Sequence, residues 1–564
     1  MRRDLDRLSD GAFDVAVVGG GIFGIFAAWD AALRGLSVAI VERTDWAQAA
    51  SANCFKMVHG GIRYLQHGDV RRVRESSRER TALLRIAGHQ VRPLPILIPT
   101  YGHGRSGKEI LAAGLAAYDL LTWDRNRGLR DPGAHIPPGR LLGRRDVLDL
   151  YPDLAADGLT GGALFHDAQM ASPARLALCV LRSAVDKGAQ AANYVAATGF
   201  IREGDRITGV RVRDRETDRD FAIRARFVVN AAGAWSEPLL DSADSLRPAT
   251  RSTFSRDAFF VLPRRVGPPV ALAVKGRTRD PDAFLSREAR HLFLVPWRKS
   301  TIVGVWHVVY TGDPDRVTLP EQDLREFIDE INWAYPGLDA RPEEVTVAPH
   351  GLVLFGENDP GARNLRYGHR SRVIDHAREQ GVHGLVTLIG VRYTTARLEA
   401  ERVIDLIVER LGARVRPCAT ATTPVHGGMM DHAEAYGREA EARKPPSLEP
   451  ETVRSLVRAH GVAYGEVFDL ARSDARLARL LEGTDVIGAE VVYAARSEMA
   501  RRLADVVCRR THLGDAATTP AAALTAAADL MAAEMGWSAA RRDEELRATA
   551  AQFRRNGMEA GTWT

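Results

Sequence analysis

The sequence predicts an α/β domain of Rossmann-like topology, an antiparallel sheet and an all-helical C-terminal domain. Three observations carry that prediction: an apolar run that ends in closely spaced glycines, an alternation of apolar and polar residues over 250–355, and an Ala- and Arg-rich helical character after residue 430. The length agrees, because 564 residues exceed one hydrophobic core and a domain takes roughly 100 to 200 residues.

Composition narrows the class. With 45% apolar and 26% charged residues the chain is neither disordered, fibrous nor membrane-spanning. Its net charge of +5 comes from arginines interleaved with Asp and Glu, a solvated surface that argues against a nucleic-acid partner. Cys54, Cys179, Cys418 and Cys508 stand too far apart for a disulfide framework or a metal site, so a reducing compartment is expected and no metal. The first thirteen residues lack an apolar signal-type core, and no apolar stretch reaches the roughly 20 residues of a spanning helix. The expectation is a cytoplasmic chain, with contact at a membrane surface left open.

Along the chain, residues 13–18 read as a buried strand that breaks into Gly19, Gly20, Gly21 and Gly24. A helix pattern over 25–34, Gly35, a second buried strand over 37–41 and Glu42 follow. This order has a physical reason. Gly19 makes the tight turn, Gly21 lets backbone approach a pyrophosphate, Gly24 lets helix pack on strand, and the helix N-terminus presents N–H groups to phosphate. Glu42 stands where a carboxylate binds ribose hydroxyls, which favours FAD or NAD over NADP; the competing reading is a structural glycine turn.

Residues 108–123 form an amphipathic helix read as core, with membrane-surface contact the lesser alternative. Buried strands over 227–232 and 384–389 run into Gly233 and Gly390, as in a sheet completed by distant segments. Past Pro424 the chain turns helical, with a break at Lys444, Pro445 and Pro446, a long amphipathic stretch over 490–510 and a packed Ala-rich helix over 516–535.

Specific motifs then carry a resemblance. Asp14-Val-Ala-Val-Val-Gly-Gly-Gly-Ile-Phe-Gly24, Val41-Glu42-Arg43, Lys56-Met-Val-His-Gly-Gly-Ile-Arg-Tyr-Leu65 and Arg92-Pro-Leu-Pro95 open the series. Phe165-His-Asp-Ala-Gln169, Asn230-Ala-Ala-Gly-Ala-Trp235, Val295-Pro-Trp297, Tyr310-Thr-Gly-Asp-Pro314, Thr394-Thr395 before Arg397, and Arg509-Arg-Thr-His-Leu-Gly514 continue it. In this order they resemble the FAD-dependent glycerol-3-phosphate dehydrogenases, within the D-amino-acid-oxidase-like superfamily of FAD oxidoreductases.

The resemblance implies a glutathione-reductase-type FAD-binding domain in three parts (1–100, 166–245 and 361–423). A helical cap at 101–165, an antiparallel substrate sheet at 246–360 and a helical domain at 424–564 complete it. It implies bound FAD, oxidation of a secondary alcohol by hydride transfer to flavin N5, and quinone or oxygen as electron acceptor; a homodimer is left open. Gly19, Gly21, Gly24, Glu42 and Arg43 would hold the ADP half of FAD. Ser51, Lys56 and His59 would lie near the flavin and Val195 near the adenine, with Gly233, Gly390, Arg392 and Thr395 at close approaches to the cofactor. Arg63, Tyr64 and Arg370 would line the substrate site. Cys54 stands near enough to Lys56 for a covalent flavin link to be weighed, although a small buried Cys is the commoner use.

Departures from the family pattern bear on the substrate. Its Ser-Gly-x-Arg-Pro-Leu segment reads His350-Gly351-Leu352-Val353-Leu354-Phe355 here, so the phosphate-binding arginine is replaced by Val353. The family's site histidine falls at Phe259, its Thr-Thr-Asp reads Val305-Trp306-His307, and its Gly-Gly-Lys reads Gly390-Val391-Arg392. Valine cannot replace a bidentate guanidinium on phosphate. The expected substrate is therefore a polyol, sugar or related hydroxyl compound in a pocket made aromatic by Phe259, Phe260 and Trp306. His350 or His307 is the expected base, because imidazole titrates near neutrality. Taken singly, each is more often a satisfied structural histidine. An authentic glycerol-3-phosphate dehydrogenase, an amine or amino-acid oxidase, and a flavin-binding protein without catalysis remain as alternatives.

Overall fold

A computed structural model of the protein describes residues 1–103, 107–243, 246, 253–279, 289–356, 371–515 and 519–555. The strands, numbered in chain order, collect into two sheets. The first joins β1 (Ala12–Val18), β2 (Val38–Glu42), β7 (Gln190–Asn193), β10 (Asp220–Asn230) and β17 (Leu385–Ile389) in parallel. Their order is β17-β10-β1-β2-β7, with β16 (Arg372–Asp375) antiparallel at the edge and the hairpin β8 (Val195–Glu203)–β9 (Arg206–Asp214) paired to β10. Parallel strands are buried on both faces, which is why these read as continuous apolar runs. Val15, Val17 and Ile40 meet Phe26 and Trp29 of helix Ile22–Arg34 together with Leu176 and Val180 of helix Pro173–Asp186. Ala16, Val18 and Val228 meet Val195, Ile207 and Val210 of the hairpin on the other side.

The second sheet runs β15-β11-β14-β13-β12-β4-β6-β3, with β5 on β6. Its members are β3 (Met57–Val58), β4 (Val91–Tyr101), β5 (Arg140–Gly143), β6 (Leu159–Met170), β11 (Thr253–Leu262), β12 (Ala271–Arg279), β13 (Ala289–Trp297), β14 (Ser300–Tyr310) and β15 (His350–Gly356). All its pairs are antiparallel except β12 with β4. The sheet thus draws strands from 57–170 as well as from the alternating region that the sequence marks out. Phe260 and Leu262 point from β11 into a core with Phe327 of helix Glu321–Ala334, while Phe259 and Val261 belong to a different cluster.

The helix of Lys108–Leu121 packs on the face that reads as core, with Leu115 and Tyr118 buried and Leu111 against the same cluster, while Ile110, Leu120 and the following Trp123 are 51%, 75% and 73% exposed. The stretch over 490–510 needs correction, because it is not one helix. Helix Gly488–Ser497 stops before Met499, whose φ of 54° ends it, and short turns over Leu503–Asp505 and Val506–Arg510 follow. The break brings three side chains inward: Glu498 accepts from Arg175 at 2.6 Å, and Arg509 and Arg510 both reach the fully buried Asp45 just after β2. Among the described residues no helix is long and apolar enough to cross a membrane.

Candidate active site

A single cavity of about 1590 Å³ runs from the glycine turn to the second sheet. At its start Gly19 takes φ 110°, a conformation that favours glycine, and a Cβ there would stand 2.4 Å from the Ala231 carbonyl oxygen. Gly24 is needed for contact rather than conformation, since its Cβ would meet Gly19 O at 2.0 Å. Between them Gly21 caps helix Ile22–Arg34 and lines the cavity, and the Ile22 N–H donates to Ser51 Oγ at 3.0 Å. Glu42 accepts from the Gly20 N–H at 2.8 Å and from the Thr44 N–H at 2.9 Å, so its carboxylate is fixed at the cavity wall. Arg43 lies 4.1 Å over the Trp235 ring and pairs with Asp315, which also accepts from Trp235 Nε1 at 2.9 Å. Val195 and Gly233 line the same end.

Midway, Lys56 is buried with its Nζ 4.4 Å from the Trp297 ring centre and 5.5 Å from that of Phe259. Burial lowers its pKa, with Asp515 pulling the other way. The His59–Gly61 turn is held by Asp167, which sequence reasoning left without a role. Its carboxylate accepts from the Gly60 N–H at 2.6 Å and from Arg80 at 2.8 Å, and meets His59 Nδ1 at 3.2 Å. Burial pushes this carboxyl up, but His59 and Arg80 outweigh it and leave the pKa below its ordinary value. The His59 N–H donates to Thr394 Oγ1 at 3.2 Å. Thr394 and Arg392 line the cavity beside Gly390, whereas Thr395 and Gly24 do not reach it.

Arg63, Tyr64, Arg72 and Arg392 line the cavity, with the Arg392 guanidinium 4.7 Å and that of Arg72 5.7 Å from the Tyr64 ring centre. No sequence motif singles out Arg72. Three strands, β11, β14 and β15, supply Asp257, Phe259, His307, His350 and Val353 to the cavity. His307 Nδ1 stands 2.7 Å from Asp257 Oδ1. His350 Nδ1 lies 3.2 Å from the Ala348 carbonyl oxygen, and burial lowers its pKa against the opposing pull of that carbonyl and of Val317. Phe259 faces the site as expected; Phe260 and Trp306 do not. They pack on Phe327 of the outer helix, Trp306 stacked at 5.3 Å and Phe260 edge-on at 5.0 Å, because successive residues of a strand face opposite ways. Arg370 lies outside the described residues.

These residues fit a dinucleotide. A helix N-terminus, a carboxylate fixed at the cavity wall and a turn too tight for side chains stand in sequence, and the cavity exceeds the roughly 300–1,000 Å³ of a drug-sized site. Fold and site together define a flavin-dependent oxidoreductase. Residues 14–398 match the family model of FAD dependent oxidoreductases, called DAO, and 418–542 match that of the C-terminal domain of alpha-glycerophosphate oxidase. The chain belongs to the DAO family of FAD-dependent oxidoreductases, and FAD is its cofactor. It is 30% identical to the glycerol-3-phosphate dehydrogenase of Synechocystis sp. over 523 residues, 90% of each chain. It is 32% identical to glycerol-3-phosphate dehydrogenase 1 of Mycobacterium tuberculosis over 519 residues, 91% of this chain and 93% of that one. In fold it resembles the glycerol-3-phosphate dehydrogenase from Bacillus halodurans complexed with FAD, with a TM-score of 0.75 at 22% identity over 98% of this chain and 96% of the other.

Proposed function

We propose that the protein oxidises the secondary hydroxyl of a small polyol bearing an acidic group, glycerol 3-phosphate being the first compound to test. The observation that carries this reading is the shared cavity: a histidine, His307, set on β14, and the guanidinia of Arg72 and Arg392 over Tyr64, with Arg63 lining the same cavity. FAD, when bound, supplies the hydride acceptor. His307 takes the hydroxyl proton, and the guanidinia orient the anionic group, since planar N–H forks match phosphate or carboxylate oxygens. His350 has its Nδ1 at a backbone carbonyl and shapes the wall instead. The names of the relatives support the phosphorylated substrate.

Val353 and Phe259 favour a second reading, an unphosphorylated polyol or sugar, because neither side chain binds phosphate. Anaerobic bleaching of the flavin absorbance separates the two. Bleaching by glycerol 3-phosphate and not by glycerol or sugar alcohols supports the first, the reverse supports the second, and bleaching by amino acids alone rejects both. Oxygen uptake compared with reduction of a quinone analogue then reads the acceptor.

The exposed face of Ile110, Leu120 and Trp123 supports contact with a membrane surface, where an amphipathic Trp sits well. Co-flotation with anionic vesicles, lost in Leu120→Ser with Trp123→Ser, tests that contact.

A further inference from the structure

We infer that Asp257 is a positioning residue for the proton step: its carboxylate holds the Nδ1–H of His307, so that the Nε2 lone pair serves the substrate hydroxyl. This rests on the reading that an alcohol is oxidised in this cavity with His307 as base. The backbone sets the pair. In the antiparallel ladder of β11 and β14, Asp257 lies directly opposite His307, and such cross-strand partners have Cβ atoms roughly 4.5–5.5 Å apart. A short Asp and an imidazole meet across that gap without a long flexible stem, at 2.7 Å between Oδ1 and Nδ1.

Asp257 is itself held. The hydroxyl of Ser255, two residues back on the same strand face and fully buried, donates to the same Oδ1. A neutral imidazole carries one N–H and one lone pair, and an ionised carboxylate only accepts. The proton therefore sits on Nδ1 and the basic nitrogen is Nε2. In the proton step the substrate O–H bond breaks, an Nε2–H bond forms, and the positive charge of the imidazolium develops beside the Asp257 carboxylate. FAD, when bound, would accept the carbon-bound hydrogen with its electron pair, so that loss of the O–H proton to His307 and of that hydride together would turn the carbinol into a carbonyl.

The register ties this pair to the loss of the family arginine. Ser255 pairs with Val353 and Asp257 with Gly351, so Val353 is a diagonal neighbour of Asp257 on the sheet. Valine there cannot draw the carboxylate away from His307.

The test uses the FAD-loaded protein and the alcohol that bleaches the wild type. In anaerobic stopped flow, Asp257→Asn is expected to slow flavin reduction about 10²-fold with substrate affinity within threefold, because the carboxamide stabilises the wrong tautomer. Asp257→Glu should recover at least a tenth of the wild-type rate. A residue that merely staples two strands would change stability without moving the next readout, the nitrogen shifts of [15N]histidine-labelled protein, with the His307 signal assigned from its loss in His307→Ala. The wild type should carry its proton on Nδ1, and Asp257→Ala should spread it over both nitrogens. A wild-type proton on Nε2, or an Asp257→Asn variant that reduces flavin at the wild-type rate, overturns the inference. A wild type that no alcohol bleaches, or a His307→Ala variant as fast as the parent, overturns the reading beneath it instead.

Discussion

Asp167 holds the His59–Gly61 turn from a strand that the turn never touches in sequence. Fully desolvated and bonded to the Gly60 N–H and to the buried Arg80, it is one partner of an ion pair that cannot lose its other half cheaply. Asp167→Ala leaves the Arg80 guanidinium buried without its carboxylate, at about 3–5 kcal/mol. The expected outcome is a lowered thermal midpoint in calorimetry and weaker retention of FAD on dialysis, since the turn lines the cofactor cavity; an unchanged midpoint would show that Arg80 finds water. Legibility differs at this scale for a physical reason. Gly19, Gly24 and the strand-end position of Glu42 could be read from the sequence because a tight turn, a close helix–strand approach and a strand end are local features. Asp167 and Asp257 could not be assigned roles, because their partners arrive from residues 108 and 50 positions away.

At the scale of the element, β11, β14 and β15 act as one face. Alternation along a strand was legible, but its phase was not: Phe259, Phe260 and Trp306 all read as pocket residues, and only Phe259 is one. The ladder between β11 and β14 shifts register between Ala258 and Phe259, an irregularity that no local pattern announces. The same face makes Val353 informative. Val353→Arg places a guanidinium diagonal to Asp257, where a charge-assisted bond competes for the carboxylate. Flavin reduction should slow about tenfold, in line with the general-base contribution of 10²–10⁴ being partly withdrawn. If the rate with glycerol 3-phosphate rises instead, the arginine binds phosphate and leaves Asp257 alone.

Over the whole molecule, the helical domain is fastened to the nucleotide-binding sheet by charge as well as by apolar packing. Asp45, one turn beyond β2, sits fully buried between Arg509 and Arg510. Burial raises its pKa, but Arg510 and then Arg509 prevail and hold it at about 2. Such a depressed value has a defined sign. The pair contributes stability above the unfolded carboxyl pKa of about 3.9, and that contribution is lost as pH falls through about 2. Cys508 and Arg509 line the cavity, as do Ala551 and Phe553 of helix Ala539–Arg555, so loosening this joint opens the site from the C-terminal side. Asp45→Asn keeps the shape and removes the charge, leaving the buried Arg510 guanidinium without its carboxylate while Arg509 keeps Asp505 at 2.7 Å, at a cost of about 3–5 kcal/mol. Hydrogen exchange should then rise over residues 503–513 and over the last helix before it rises in β1 or β10. The acid limb of stability between pH 4 and pH 2 should flatten relative to the wild type. Equal exchange in the variant and the wild type would mean that the apolar contacts of Leu503, Val506 and Phe553 alone hold the domains together.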